Sequence, residues 1–360
     1  MRRKRILSQK RPAAGGEARE RASFLISCTV KSENSAETRK FDGKRGGNEM
    51  EMVIQLLLLA LGFFMLVKGA DWFVDGSSGI ADKLGVPQLV IGLTIVAMGT
   101  SAPEAAVSIT AALKGSAEIT IGNIVGSNIL NILIILGITS AIVSVAVAKS
   151  TIRYEIPWML FITAVLLALG YTGNQVSFME GVILWVLFLM YLGYLFVMAM
   201  RDKQEVVETE EAKPFWKLVL LSIVGLVLIV LGSDVTVDAA TAIAKAAGLS
   251  ERFIGLTIVA LGTSLPELFT SVSAAIKGKA DIAIGNIVGS NIFNILFVVG
   301  TAALILPVEF APNFVIDTAV AIGAGVLLLV CVAGKKKLVR SHGIIMLVCY
   351  AAYFAYLMMG

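Results

Sequence analysis

The chain has 360 residues, of which 57% are hydrophobic and 16% charged, and its formal net charge is +4. This composition excludes an ordinary soluble domain, in which apolar and charged residues are more evenly balanced. Residues 1–49 hold 13 Lys and Arg against 6 Asp and Glu, and the rest of the chain holds 17 against 20. All the positive excess therefore lies in the N-terminal segment, and we expect no nucleic-acid partner.

Residues 1–49 are polar and basic and show no apolar periodicity, which is typical of a disordered tail. They also lack the apolar middle region of a secretory signal. Three interpretations remain open: a disordered basic arm, a targeting segment, or an extension upstream of a true start at Met50. We favour the third, because Met50 directly precedes the first hydrophobic stretch.

Ten apolar stretches follow, each long enough to cross a hydrocarbon core about 30 Å thick as a helix. We therefore predict an all-α integral membrane protein that contacts the lipid bilayer and needs no obligate protein partner. The predicted spans are residues 52–72, 86–113, 119–146, 155–171, 177–199, 215–236, 252–276, 282–306, 313–333 and 342–359.

The basic residues of the loops predict the orientation, since short cytoplasmic loops carry the positive excess. Loops after even-numbered spans contain Lys114, Lys245 and Arg252. We therefore expect both termini outside the cytoplasm of a cell inner (plasma) membrane. The loops after odd-numbered spans contain thirteen basic residues: Lys83, Lys149, Arg153, Arg201, Lys203, Lys213, Lys217, Lys277, Lys279, Lys335, Lys336, Lys337 and Arg340.

An internal repeat divides the chain into two halves. Residues 88–137 align without gaps on residues 251–300, with 32 identities in 50 positions. Each half has five spans, an odd number, so the second half enters the membrane from the opposite side and the repeats are inverted. We predict a first five-helix repeat at 50–200, a cytoplasmic linker at 201–214 and a second five-helix repeat at 215–360.

Cysteine and histidine are scarce, which limits the kind of ion that the chain can hold. The three cysteines, Cys28, Cys331 and Cys349, form no Cys-x-x-Cys pair, and His342 is the sole histidine. Soft ligands for zinc or copper are therefore few, whereas hard cations need only oxygen ligands. Sodium, calcium and protons all remain candidates, and no resident cofactor is expected.

The repeats duplicate one polar motif, Gly-Thr-Ser-x-Pro-Glu, at 99–104 and 262–267. Helical spacing places Thr100 and Ser101 on the same face as Glu104, and the second copy repeats this with Thr263, Ser264 and Glu267. We expect Pro103 and Pro266 to break their helices and to free carbonyls near 97–99 and 260–262. A glutamate inside an apolar helix is costly and is therefore functional by default.

The following span of each half carries a polar stripe, with Asn123, Ser127 and Asn131 in the first copy. In the second copy the equivalent residues are Asn286, Ser290 and Asn294. For Asn123, Asn128, Asn286 and Asn291, helix packing and ion binding are both open. For Asp71, Asp75, Asp234 and Asp238, which lie near helix ends, we expect hydration or capping rather than a gating contact. We expect Gly122, Gly126, Gly285 and Gly289 to allow close helix approach.

The motifs GTSAPE with GNIVGSNILN, and GTSLPE with GNIVGSNIFN, resemble the two alpha repeats of the sodium/calcium exchanger family of cation/calcium antiporters. The resemblance covers nearly all of residues 50–360. It implies a ten-helix fold and Glu104 and Glu267 as the central ligands of the metal. The further ligands that it implies are hydroxyls of Thr100, Ser101, Ser127, Thr263, Ser264 and Ser290, carbonyls of Ala97 and Ala260, and amides of Asn131 and Asn294.

The chain departs from the family pattern at Asn294, where many members have an aspartate. The site then has two formal negative charges, and potassium dependence is not expected. The resemblance implies an antiporter that exchanges Ca²⁺ for Na⁺ by alternating access, and not an enzyme. A Ca²⁺/H⁺ antiporter and a cation channel are the alternatives.

Overall fold

The computed structural model describes residues 16–117, 119–202, 213–248, 258 and 260–359, except for the side chains of 16–49 and 260. Residues 1–15 of the predicted tail, most of the linker 201–214 and the start of the span 252–276 lie outside the described residues. Residues 16–49, which the sequence predicted to be disordered, form the first part of a long helix that runs from Gly16 to Leu84. The chain divides into a unit Met1–Leu56 and a unit Leu57–Gly360, and every contact below lies within the second.

Nearly all of the described structure is helical. The helices are α1 (Gly16–Leu84), α2 (Gln88–Thr100), α3 (Ala102–Leu113), α4 (Ile119–Ile142), α5 (Thr151–Gly173), α6 (Phe178–Arg201), α7 (Phe215–Ala246), α8 (Ala260–Gly262), α9 (Leu265–Ile276), α10 (Ala280–Ile305), α11 (Pro312–Ala333) and α12 (Arg340–Met359).

In the described part of the chain, eight of these helices are long and apolar enough to cross a membrane; for α1 only the part Met50–Leu84 is counted. The bent pair α2 and α3 makes a ninth span. Helices α8 and α9 cover the described part of the predicted span 252–276. The all-α membrane fold is thus confirmed. Two helices are longer than predicted, because α1 continues to Leu84 and α7 to Ala246 as polar ends beyond the apolar stretch.

Two short antiparallel ribbons, which the sequence analysis missed, tie the ends of the bundle together. Strand β1 (Val145–Ala146) pairs with β4 (Lys337–Leu338), and β2 (Gln175–Val176) pairs with β3 (Val308–Glu309). The repeat relates Val145 to Val308 at an offset of 163 residues and Val176 to Leu338 at an offset of 162, so the second half is one residue shorter between its two strands. Each ribbon is therefore the counterpart of the other, as an inverted repeat requires.

The helices with the polar stripes occupy the centre of the bundle. In the most apolar window of α10, 94% of the residues are buried, and in that of α4 72% are buried, against 11% in α1 and in α12. A polar stripe on α4 or α10 therefore faces protein and not lipid, where unsatisfied polar groups would be costly.

Glycines let α2 and α10 touch through their backbones. A Cβ atom added at Gly285 would lie 3.0 Å from the Cα of Gly92, and one added at Gly289 would lie 2.8 Å from the Cα of Leu93. The equivalent glycines of α4 behave differently. Gly122 would meet the ring of Phe314 at 3.4 Å, and a Cβ at Gly126 would meet nothing within 4 Å. The predicted close approach is thus right for α10 and wrong for Gly126, so the two halves share a sequence but not their contacts.

We expect Gly289→Ala to lower the free energy of unfolding by about 1–3 kcal/mol, because the added methyl group overlaps backbone atoms of α2 that cannot move independently. Its repeat counterpart, Gly126→Ala, is the matched control and should leave stability nearly unchanged. Thermal unfolding of the detergent-purified protein measures both. Equal destabilisation by the two variants would contradict the packing described above.

Candidate cation site

A break in each repeat brings a glutamate to the start of a helix. Helices α2 and α3 meet at Ser101 with a bend of 50°, and Ser264 separates α8 from α9 in the same backbone conformation. Glu104 and Glu267 lie in the first turn of α3 and α9, just after a proline. A helix N-terminus favours negative charge, so the predicted breaks place both carboxylates where the helix dipole stabilises them.

Hydrogen bonds across the repeat interface join the two motifs. The Ser101 hydroxyl donates to Oε1 of Glu267 at 2.8 Å. The Thr100 hydroxyl donates to Oδ1 of Asn286 at 2.9 Å. The Ser290 hydroxyl lies 3.4 Å from the Ala97 carbonyl oxygen. The two copies, 163 residues apart in sequence, thus form one site in the fold.

Four asparagines of α4 and α10 form a symmetric network. The amide groups of Asn128 and Asn291 donate to each other's backbone carbonyls at 3.2 and 3.1 Å. Their Oδ1 atoms accept from Nδ2 of Asn294 and Asn131, at 3.1 and 2.9 Å. Asn128 and Asn291 are therefore positioning residues, and the packing interpretation holds for them.

Nδ2 of Asn131 and Nδ2 of Asn294 each donate a hydrogen bond to the network, which orients both side chains. Their Oδ1 atoms have no partner among the described residues. A π-helical turn begins at each of them, Asn131–Leu136 in α4 and Asn294–Val299 in α10. Such turns inside α-helices are frequent at functional sites, because they redirect a side chain.

A second pair of asparagines holds the backbone of the glutamates. Asn123 donates to the Ser108 hydroxyl at 2.9 Å and to the Glu104 carbonyl at 3.3 Å. Asn286 does the same with the Ser271 hydroxyl at 2.9 Å and the Glu267 carbonyl at 3.4 Å. The sequence analysis missed Ser108 and Ser271, although the repeat offset relates them and would have revealed them.

Unpartnered buried oxygens define the chemistry of the site. Glu104 and Glu267 are 1% and 0% exposed, and Asn131 and Asn294 are 1% and 0% exposed. Oε2 of each glutamate and Oδ1 of each of these asparagines have no hydrogen-bond partner within the described part of the chain. An unpaired buried acceptor costs free energy, and more so when it is charged. A hard cation bound by these oxygens would remove that cost.

Most of the other predicted ligands are buried, and each lies near the residues described above in the sequence or contacts them. Thr100, Ser101, Ala97 and Ser290 are 0% exposed, Ser127 is 4% and Ser264 is 3% exposed, while Thr263 is partly buried. The Ser264 hydroxyl has no partner in the described structure, and neither does that of Thr270, which the sequence analysis did not single out.

The prediction that the two helix breaks leave backbone carbonyls without hydrogen bonds is not correct for Ala97 and Gly262. The Ala97 carbonyl accepts the Ser101 N–H at 3.0 Å, so the break at Pro103 does not free it. In the second copy, the Gly262 carbonyl accepts the Ser233 hydroxyl at 2.7 Å. Pro266 lacks the N–H group that would otherwise bond this carbonyl, and Ser233 of α7 replaces it. The side chain of Ala260 lies outside the described residues.

An ion-pair cluster closes one end of the bundle, and here too the sequence expectation is corrected. Lys277 lies 2.8 Å from a carboxylate oxygen of Asp75 and 3.4 Å from one of Asp71, and the Ser273 hydroxyl donates to Asp71 at 2.8 Å. Asp71 and Asp75 are therefore paired across the halves and are not simply hydrated. These residues meet because α1 continues as a polar helix beyond the end of its predicted apolar span.

The repeat duplicates this cluster as Asp234, Asp238, Lys114 and Thr110. No ion pair joins Lys114 to Asp234 or Asp238, all three of which the structure describes. A surface crevice beside Lys114 and Thr110 is lined only by α3, the loop after it and the first residue of α4. Equivalent residues thus form an ion-pair cluster at one end and, among the described residues, no such cluster at the other.

The fold and the site together define a class. Two inverted repeats that enclose a buried oxygen site at the centre of a helical membrane bundle are the arrangement of a secondary transporter. The described residues contain no group of three or more His, Cys, Asp and Glu that could hold a metal ion as a resident cofactor. The inverted repeats and the buried oxygens thus indicate a membrane transport protein.

Comparison with known proteins identifies the family. The model of the sodium/calcium exchanger protein family matches residues 54–197 and 217–359, so the chain belongs to this family of cation/calcium antiporters. It is 39% identical over 316 residues to the putative antiporter CaxA of Alkalimonas amylolytica, covering 84% of this chain and 98% of that protein.

Two further relatives support the assignment. The chain is 36% identical over 270 residues to the inner membrane protein YrbG of Escherichia coli, covering 72% of this chain and 83% of the relative. Among solved structures, the sodium-calcium exchanger NCX_Mj superposes with a TM-score of 0.74 at 32% identity, over 85% of this chain and 99% of that one. The fold expected from the repeats is confirmed.

We expect Glu104→Gln and Glu267→Gln each to weaken Ca²⁺ binding by about tenfold or more, because each removes one of two charges while keeping the side-chain shape. Isothermal titration of the detergent-purified protein with Ca²⁺ measures this. Glu309→Gln on β3 removes a carboxylate from a loop ribbon and is the matched control. Unchanged affinity in both glutamate variants would place the ion elsewhere.

Proposed function

We propose that this antiporter exchanges Ca²⁺ for Na⁺ by alternating access at a central site formed by Glu104 and Glu267. The observation that carries the proposal is the set of four buried oxygens without partners, arranged as two repeat-related pairs with two formal negative charges. One Ca²⁺ or at least two Na⁺ neutralise this charge. The relative NCX_Mj, described as a sodium-calcium exchanger, supports sodium as the counter-ion.

The two negative charges of the site explain why the protein exchanges ions and does not switch between its two states with the site empty. An empty site would move two uncompensated carboxylates through a region of low dielectric constant, at a cost of several kcal/mol per ion. Ion binding removes this cost, so the ion-loaded protein switches and the empty one does not. Asparagine at both 131 and 294 adds no third charge, which supports exchange without potassium.

The duplicated ion-pair cluster supplies a physical basis for the two states. In our proposal, Lys277 binds Asp71 and Asp75 when the Lys114 end is open, and Lys114 binds Asp234 and Asp238 after the switch. The thirteen basic residues of the odd-numbered loops support a cytoplasmic location for the Lys277 end and an external location for both termini. In this proposal the structure, with the Lys277 cluster formed and no ion pair at Lys114 among the described residues, represents the outward-facing state.

Sodium coupling and proton coupling make different predictions for Ca²⁺ uptake by proteoliposomes with an outward Na⁺ gradient. We expect uptake of ⁴⁵Ca²⁺ to continue when a protonophore removes the pH gradient, and to fall to about one tenth or less in Glu104→Gln. Glu309→Gln serves again as the control. Uptake that follows the pH gradient and ignores Na⁺ would instead support the Ca²⁺/H⁺ alternative, in which protons neutralise the two carboxylates.

The exchange of ion pairs predicts different effects of two equivalent variants on labelling at the Lys114 end. Lys277→Gln weakens the ion-pair cluster at its own end, so a cysteine at Ser116, in the loop that follows Lys114, should react two- to fivefold more slowly with a membrane-impermeant maleimide. The effect is small because Lys277 and its partners are partly exposed. Lys114→Gln should leave the reaction rate unchanged or raise it.

The measurement requires a background in which Cys28, Cys331 and Cys349 are replaced by alanine. Equal labelling in the wild type and both variants would show that the two clusters do not alternate, without affecting the proposal for the central site.

A further inference from the structure

A second cavity, of about 520 Å³, lies on the side of the bundle between the beginning of α5 and the end of α6. Its floor contains Glu155 and Tyr191, which are 1% and 3% exposed. Its rim includes Tyr154, Phe161 and Met190, each about half exposed or more on the outer face of the helical bundle. The cavity therefore opens on the outer face of the bundle, and none of its lining residues belongs to the candidate cation site.

Three buried polar atoms of the cavity have no partner in the described part of the chain: Oε2 of Glu155, the hydroxyl of Tyr191 and Nε1 of Trp158. The other oxygen of Glu155 accepts a hydrogen bond from the hydroxyl of Tyr194. A buried carboxylate oxygen, a buried hydroxyl and a buried indole N–H left without partners are each costly. Together they fit a ligand that offers both N–H donors and an acceptor.

The charges around the cavity indicate where each part of that ligand lies. Glu155 supplies a buried carboxylate to the floor, and no other acidic residue lines the cavity within the described structure. The rim carries the guanidinium of Arg153, 5.8 Å above the ring of Tyr154. The floor thus suits a cation and the rim an anion.

We propose that this cavity binds a zwitterionic aminophospholipid of the phosphatidylethanolamine type, with its ammonium group on Glu155 and its phosphate toward Arg153 and Trp158. The aromatic rings of Tyr191 and Tyr194, 6.5 Å apart, surround the ammonium position and add cation–π attraction. Arg153 lies at the end of the bundle that carries the basic loops, where headgroups meet the ends of spans.

Beyond the first strand of each half, equivalent residues of the two repeats are 162 positions apart, because Val176 and Leu338 are the equivalent partners of Val308 and Val145. Glu155 then corresponds to Asp317, Tyr191 to Tyr353 and Tyr194 to Tyr356, so the second half keeps a carboxylate and two tyrosine hydroxyls at the equivalent positions. A comparable bond does exist there, in which Tyr353 donates to Asp317 at 2.8 Å. That pair joins α12 to α11 and provides a matched control.

The test is native mass spectrometry of the full-length protein, purified in detergent and titrated with single lipids. We expect phosphatidylethanolamine to be retained about tenfold better than phosphatidylcholine or phosphatidylglycerol. The mono- and dimethylated headgroups should fall between, because each methyl group removes an N–H donor for Glu155. Equal retention of all the headgroups in the wild-type protein would overturn the proposal without requiring any variant.

Glu155→Gln should reduce phosphatidylethanolamine retention to the level of phosphatidylcholine, and Tyr191→Phe should reduce it in part. Asp317→Asn should leave it unchanged. Retention unchanged in Glu155→Gln would overturn the assignment. Soluble phosphoethanolamine that displaces the lipid at equal concentration would also overturn it, since the ligand would then be a soluble amine phosphate. Gel filtration verifies that each variant is folded.

Discussion

Two carboxylates buried opposite each other in the middle of a membrane bundle impose the main constraint on this protein. Glu104 and Glu267 cannot both stay charged there without a cation, and the surrounding residues are arranged around that problem. The helix breaks place each carboxylate at a helix N-terminus, and Ser101 donates to Glu267 from the opposite half. What remains unsatisfied is a set of oxygens, which is the coordination preference of a hard cation.

The asparagines explain how such a site stays open without collapsing onto itself. Asn128 and Asn291 use both of their polar groups on each other's helix and on Asn131 and Asn294. Nδ2 of Asn131 and of Asn294 each donates one hydrogen bond to this network, which holds the amide in place, and both Oδ1 atoms have no partner in the described structure. A site built from mutually satisfied positioning residues keeps its acceptors free, and this matters for an ion that must bind and leave.

The two halves carry nearly the same residues but make unequal contacts. Gly289 packs on the backbone of α2, whereas a Cβ atom at Gly126 would meet nothing. Lys277 pairs with two aspartates, whereas Lys114 borders a crevice. In an inverted repeat, one set of contacts at one face implies that the same set can form at the other. The asymmetry is therefore what a transporter needs in either of its two states.

The sequence by itself determined the class of fold, the inverted duplication and the glutamates at the centre, because apolar length, repeat offset and the cost of a charge in an apolar helix are all local or periodic properties. It also indicated that Asn131 and Asn294 limit the formal charge to two. Tertiary structure alone decided the rest. Whether Asn128 and Asn291 bind ions or position their neighbours depends on which atoms face each other. Three features are contacts between residues far apart in the chain: the pairing of Lys277 with Asp71, the hydrogen bond from Ser233 to the Gly262 carbonyl, and the two strand ribbons. No local sequence pattern specifies which of two repeat-equivalent contacts forms.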